Sequence, residues 1–95
     1  MEPYRLRVPA SVDDLVRSLH PDLKQKIRAG LDLIRKDPAS GKPLQDELES
    51  LRSLRVGRFR IIYRVGADHT IELVSIGPRR TIYEATLRLL RRPHG

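Results

Sequence analysis

The stretch Leu51 to Val65, Leu-Arg-Ser-Leu-Arg-Val-Gly-Arg-Phe-Arg-Ile-Ile-Tyr-Arg-Val, restricts the fold more than any other part of the chain. It reads as two short strands bent at Gly57. Beyond the bend, Phe59, Ile61, Tyr63 and Val65 point one way, while Arg58, Arg60 and Arg64, with Ile62 among them, point the other. That alternation has the period of a strand. One face can be buried. The other carries three guanidinium groups within seven residues, and buried charges need partners. A sheet with one face on a core and the other exposed, or set against something anionic, is the arrangement that satisfies both.

The charge distribution agrees. The chain has 95 residues and a formal net charge of +7. Residues 1–50 hold nine Lys/Arg and nine Asp/Glu, whereas residues 51–95 hold ten arginines, no lysine and three acids. The whole excess is therefore arginine in the second half. Arginine suits bidentate contact with phosphate, so the pattern favours a nucleic acid or a strongly acidic protein as partner. The length fits one domain, residues 1–95. Cysteine is absent, which excludes disulfides and thiolate metal sites. No apolar run approaches the ~20 residues of a membrane span, and Met-Glu-Pro-Tyr-Arg is not a secretory leader. A cytoplasmic domain is expected.

Tyr4 to Val8 alternates up to Pro9 and reads as a strand with Tyr4, Leu6 and Val8 inward. Ser11 can cap a first helix with Val12, Leu15, Val16 and Leu19 on one side. His20-Pro21 breaks it, and a second helix runs from Pro21 to Lys36 on the stripe Leu23, Ile27, Leu31, Ile34. Asp37 to Pro43 is a loop, and Leu44 and Leu48 anchor a short turn after it. Strands follow at 51–56, 58–65 and 70–76, with a hairpin at Gly66-Ala-Asp-His69, and Thr81 to Leu90 is helical. The order β-α-α-β-β-β-α predicts an α+β fold: a small antiparallel sheet packed on a helical hairpin, with one open basic face carrying Arg55, Arg58, Arg60 and Arg64.

This order, with Lys42-Pro-Leu44, Leu48, Leu54-Arg-Val-Gly-Arg-Phe-Arg-Ile-Ile-Tyr63, Ile76-Gly-Pro-Arg79 and Ile82-Tyr83, resembles the RelE/ParE superfamily of toxins from type II toxin–antitoxin systems. The resemblance implies one of two activities: a ribosome-dependent mRNA endoribonuclease (an mRNA interferase that inhibits translation), or a DNA gyrase inhibitor that cuts nothing. A toxin fold kept only as an interaction module is a third reading. In the nuclease reading the RNA 2′-hydroxyl attacks the adjacent phosphate, with no metal and no cofactor. Arg60 matches the arginine that faces the scissile phosphate, Arg79 one that stabilises it, Arg55 the arginine before the hairpin, and Tyr83 a tyrosine of acid–base chemistry or base positioning. Arg52, Arg58, Arg64 and Arg80 would contact RNA. The resemblance also implies an acidic cognate antitoxin in a hetero-oligomer, and mRNA on the ribosome as target. Two departures stand out. The lysines of RelE before the hairpin are missing, with Arg52 and Ser53 near their place, and the usual Leu-x-Gly step reads Leu48-Glu-Ser50. Glu47 and Glu49 are possible bases there. Tyr63 reads as inward and structural, and His20, His69 and His94 are too scattered for a metal site or a triad.

Overall fold

The computed structural model describes residues 3–78 and 81–91. Strand β1 (Arg5–Arg7) leads into helices α1 (Ala10–Ser18) and α2 (Pro21–Lys36). A two-residue edge strand, β2 (Lys42–Pro43), precedes β3 (Arg52–Val56), β4 (Phe59–Val65), β5 (Thr70–Pro78) and helix α3 (Ile82–Leu90). The strands form one sheet in the order β1-β5-β4-β3-β2. The expected α+β class holds, with two differences of detail. The sheet is mixed, because the first strand, β1, runs parallel to the last, β5. And α3, with the segment 44–51, covers part of the face expected to be open.

The residue pattern accounts for both layers. The helical hairpin lies on one face, where Ile27 and Ile34 of α2 are fully buried against Ile61, Tyr63, Ile71, Leu73 and Ile76. Pro21 opens α2 and His20 caps it, its Nδ1 accepting from Asp22 N–H at 3.3 Å. α1 starts instead from Pro9, with no side-chain cap, so Ser11 does not play that part. Gly30, which sequence alone marks as a weak point in α2, lets the helix approach closely: a Cβ there would stand 2.9 Å from Val56 Cγ2. Val8 is 43% exposed and takes no part in this core.

On the opposite face Leu48, Leu51, Ile62 and Ile82 are buried, with Leu44, Val74, Tyr83 and Leu87 packed around them. Ile62 is the reason. It stands among arginines on the outward face, and leaving it in water would forfeit about 1.5–3 kcal/mol. A bulge lets β5 serve both layers. Leu73 pairs with Tyr63 and Ser75 with Ile62, so Val74 is the extra residue. Ile71, Leu73 and Ile76 thereby share the helical-hairpin side although their spacing changes from even to odd.

The β3–β4 turn is Gly57-Arg58, with Gly57 at φ 60°, the first central position that glycine takes in a II′ hairpin turn. Arg58 thus sits in the turn and not on the strand. Tyr63, fully buried, holds the loop after α2. Its hydroxyl donates to Pro38 O at 2.6 Å and accepts from Gly41 N–H at 2.9 Å. Arg52 Nη1 donates to Gly41 O at 2.7 Å. A Cβ at Gly41 would lie 2.5 Å from Tyr63 Oη, so only glycine fits between them.

Tyr63→Phe keeps the ring and leaves two buried backbone groups unpaired. It should cost about 1–3 kcal/mol, read as a lower urea midpoint at neutral pH. Burial pushes the Tyr63 phenol above its ordinary 10.0, against the opposing hydrogen bond from Gly41. On raising the pH the unfolded chain therefore loses this proton before the folded one does. The contribution of the hydroxyl is complete below pH 10.0 and is lost as the pH climbs toward the folded value. The stability gap between wild type and Tyr63→Phe should narrow only at alkaline pH; a gap unchanged there would contradict the assignment.

Candidate functional site

The cations of β3 and β4 meet where α3 leaves the sheet uncovered. Arg60 on β4 pairs directly across from Arg55 on β3. Like charges in facing positions oppose sheet formation, so this pair is not there for stability. Arg60 Nη1 donates to Ser53 Oγ at 3.4 Å, and its Cζ lies 5.7 Å from the centre of the Tyr83 ring, within range of a cation–π contact. Tyr83 Oη and Ser53 Oγ are 3.3 Å apart. The Nε of Arg60 is buried and has no hydrogen-bond partner. Beside it opens a pocket of about 380 Å³ lined by Ser40, Lys42, Ser53, Leu54, Arg55 and Arg60. Three cations border it and no carboxylate does. Groups of this kind attract an anion and can share hydrogen bonds with phosphate oxygens.

The remaining predicted residues are dispersed. Arg55 is exposed, its Nε donating to Gly57 O at 3.3 Å. Arg58 is exposed in the turn. Arg64 is committed to Glu72 on β5 at 3.0 Å. Arg52 is turned to the other face, toward Gly41. Arg79, Arg80 and His94 lie outside the described residues. Glu47 is held by Arg91 at 2.7 Å, away from the pocket, and Glu49 does not line it. His20 caps α2, and His69 stacks on Tyr4 with centroids 3.7 Å apart. Among the described residues no group of three His, Cys, Asp or Glu could hold a metal ion.

Sequence reasoning passed over two residues. Ser53 joins Arg60 to Tyr83, and its place two residues before Arg55 puts it on the same strand face. Lys42 enters the pocket on β2, a strand of two residues whose length leaves no readable alternation.

Comparison with known proteins agrees with this architecture. The family model for the ParE toxin of type II toxin–antitoxin systems (parDE) matches residues 4–83. The Toxin RelE of Mycobacterium tuberculosis is 39% identical over 44 residues, a match spanning 45% of this chain and 45% of that protein. In the crystal structure of the M. tuberculosis RelBE2 toxin–antitoxin complex, a chain 27% identical superposes with a TM-score of 0.72, covering 83% of this chain and 94% of its own. An arginine-to-alanine mutant of E. coli RelE in the free state, at 15% identity, shares the fold with the same TM-score of 0.72 over 93% of this chain and 98% of its own. The archaeal RelE–RelB complex from Pyrococcus horikoshii gives 22% identity and a TM-score of 0.66, over 81% and 96%. The chain belongs to the ParE toxin family of type II toxin–antitoxin systems, within the RelE/ParE superfamily.

Tyr83 reaches the site because α3 is fastened underneath it. Ser75 Oγ meets Thr86 Oγ1 at 2.7 Å, and Thr86 Oγ1 donates to Ile82 O at 2.7 Å, all buried. Thr86→Val preserves shape but strands the Ser75 hydroxyl, at a cost of about 1–3 kcal/mol. Amide exchange in α3 should quicken while that in β4 stays slow. Adding Ser75→Ala should recover much of the loss, since removing both partners is far milder than removing one. Equal exchange in wild type and Thr86→Val would refute this docking role.

Proposed function

We propose that the chain is the toxin of a type II pair and a metal-independent endoribonuclease that cuts mRNA on the ribosome, in the cytoplasm. The observation that carries this reading is Arg60: a half-buried guanidinium with an unpartnered Nε, facing a second arginine, at a pocket free of carboxylates. In the reaction the RNA 2′-oxygen bonds to the adjacent phosphorus and the bond from phosphorus to the 5′-oxygen breaks. The proton of the 2′-hydroxyl must be taken up and one must reach the leaving oxygen. Placement, two proton transfers and stabilisation of the phosphorane charge suffice. Arg60, with Arg55 across from it, stabilises that charge, and Arg79 is assigned the same task from the family pattern. The Tyr83 hydroxyl, hydrogen-bonded to Ser53, is the proton carrier or the platform for a base. Outside the pocket, Arg58 contacts RNA backbone.

A second reading has its own support, since the matching family model is that of ParE toxins: a gyrase inhibitor without nuclease activity. One set of measurements separates the two. Arg60→Ala should lower single-turnover cleavage on programmed ribosomes by ~10²–10³-fold while binding survives. Arg58→Ala should keep the saturating rate and lose affinity. Equal rate losses would mean that the active centre is misplaced. Intact transcripts with lost supercoiling in cells expressing the toxin would move the assignment to gyrase.

The partner in this reading is an acidic antitoxin that covers the cationic pocket. Several of the superposing structures are RelB–RelE complexes, which supports it. The complex should loosen as salt rises. Co-purification from the native operon at increasing ionic strength checks this, and a toxin recovered alone at low salt would count against it.

A further inference from the structure

Lys42 has no part in the roles assigned above, yet the fold places it with care. The Tyr63 hydroxyl and the Arg52 guanidinium clamp Gly41 from both sides, and the next residue is Lys42. In the antiparallel β2–β3 pair, Lys42 stands opposite Ser53. Facing residues share one side of a sheet, with Cβ atoms about 4.5–5.5 Å apart. Lys42 therefore lies on the same face as Ser53, the residue that meets both Arg60 and Tyr83, and it borders the pocket with Arg55 and Arg60. It is exposed, and its side chain has no ion pair or hydrogen bond among the described residues. Arg17, Lys36, Arg64 and Arg91 each have a carboxylate partner, whereas the three cations that line the pocket, Lys42, Arg55 and Arg60, have none among the described residues.

We propose that Lys42 is a strand-positioning residue of the pocket, holding a backbone phosphate next to the one that Arg60 meets, and so setting where single-stranded nucleic acid lies across β2 and β3. This rests on the RNA-cutting reading for its substrate. It also gives the missing lysines before the hairpin a physical substitute: a cation delivered to the same face from the neighbouring strand. A compact ammonium on a flexible stem suits a contact to one phosphate oxygen. It is not aimed at the reacting atoms, so its loss acts on binding.

The rival explanation is an edge-strand lysine that only discourages sheet-to-sheet association. The test uses the purified toxin and a short single-stranded oligonucleotide with 2′-deoxy substitution, which cannot be cut by 2′-hydroxyl attack. Lys42→Ala should lower the slope of log affinity against log salt by about 0.7, the value for one single-strand phosphate contact, and weaken binding about fivefold at 0.1 M salt. Lys42→Arg should restore most of both. Lys26→Ala, on the exposed side of α2, serves as control and should change neither. With mRNA on programmed ribosomes, Lys42→Ala should raise the half-saturating concentration and leave the saturating single-turnover rate within about twofold, as uniform binding loss requires. If wild type binds the oligonucleotide, cuts no mRNA on programmed ribosomes, and Lys42→Ala still loses its slope increment, the positioning role stands and the nuclease reading falls. If wild type cuts RNA but Lys42→Ala binds like Lys26→Ala, the positioning role falls alone. Failure of wild type to bind the oligonucleotide, or a lower saturating rate with unchanged affinity in Lys42→Ala, also overturns it.

Discussion

The hydroxyl of Tyr63 is the point from which the site is assembled. It is a polar group in the centre of the core, and its removal from water is repaid only because it finds both a carbonyl and an amide. Those partners belong to the loop after α2, which Arg52 also holds at Gly41 O. Pinned at Pro38 and Gly41, the loop delivers β2 to the edge of β3. Without β2, the face of β3 that bears Ser53 and Arg55 would end in open backbone. One buried hydrogen-bond pair thus connects the helical hairpin, which packs on the larger of the two core clusters, to the rim where the cations gather.

The same sheet divides stability from chemistry by face. On the side of α1 and α2, β4 presents Ile61 and Tyr63, fully buried. On the other, Ile62 is sealed by Ile82 and Leu87 while Arg60 emerges at the border of that seal. A guanidinium at the edge of an apolar patch is better shielded from solvent than one on an open strand, and its field is stronger for it. Arg64, further along the same face, has been given Glu72 and is electrostatically quiet. The contrast between Arg60 and Arg64 comes from neighbours on β5: Gly77 stands opposite the first and Glu72 opposite the second.

Much of this was legible in the chain. The period of Phe59 to Val65, the Gly57 turn and the span Pro21–Lys36 are local signals, and local physics decides them. Arg60 and Tyr83 could be singled out through the family pattern. What could not be read depended on pairing at a distance. β2 is too short to show a period, so Lys42 looked like part of a loop. The parallel pairing of β1 with β5 joins the first strand to the last in the chain and leaves no mark in either. The basic face reads as open although Ile62 stands among its arginines, and the helix that covers part of it is held by the buried contact of Ser75 with Thr86, two residues whose polarity argues against burial until each is seen to satisfy the other.

The bulge at Val74 shows how tightly these demands are coupled. Without the extra residue, the alternation of β5 would carry Leu73 and Ile76 to opposite faces, and one would leave the core under α1 and α2. With it, Ile76 returns to that core, Val74 joins the cluster beneath α3, and Ser75 faces Thr86. Ser75 holds α3, α3 holds Tyr83, and Tyr83 lies against Arg60. The placement of the Arg60 guanidinium therefore depends on one inserted residue on the neighbouring strand. A site of facing like charges opposes its own fold; it persists because the two hydrophobic layers that fix its position are built from the same strands and cannot relax without unpairing each other.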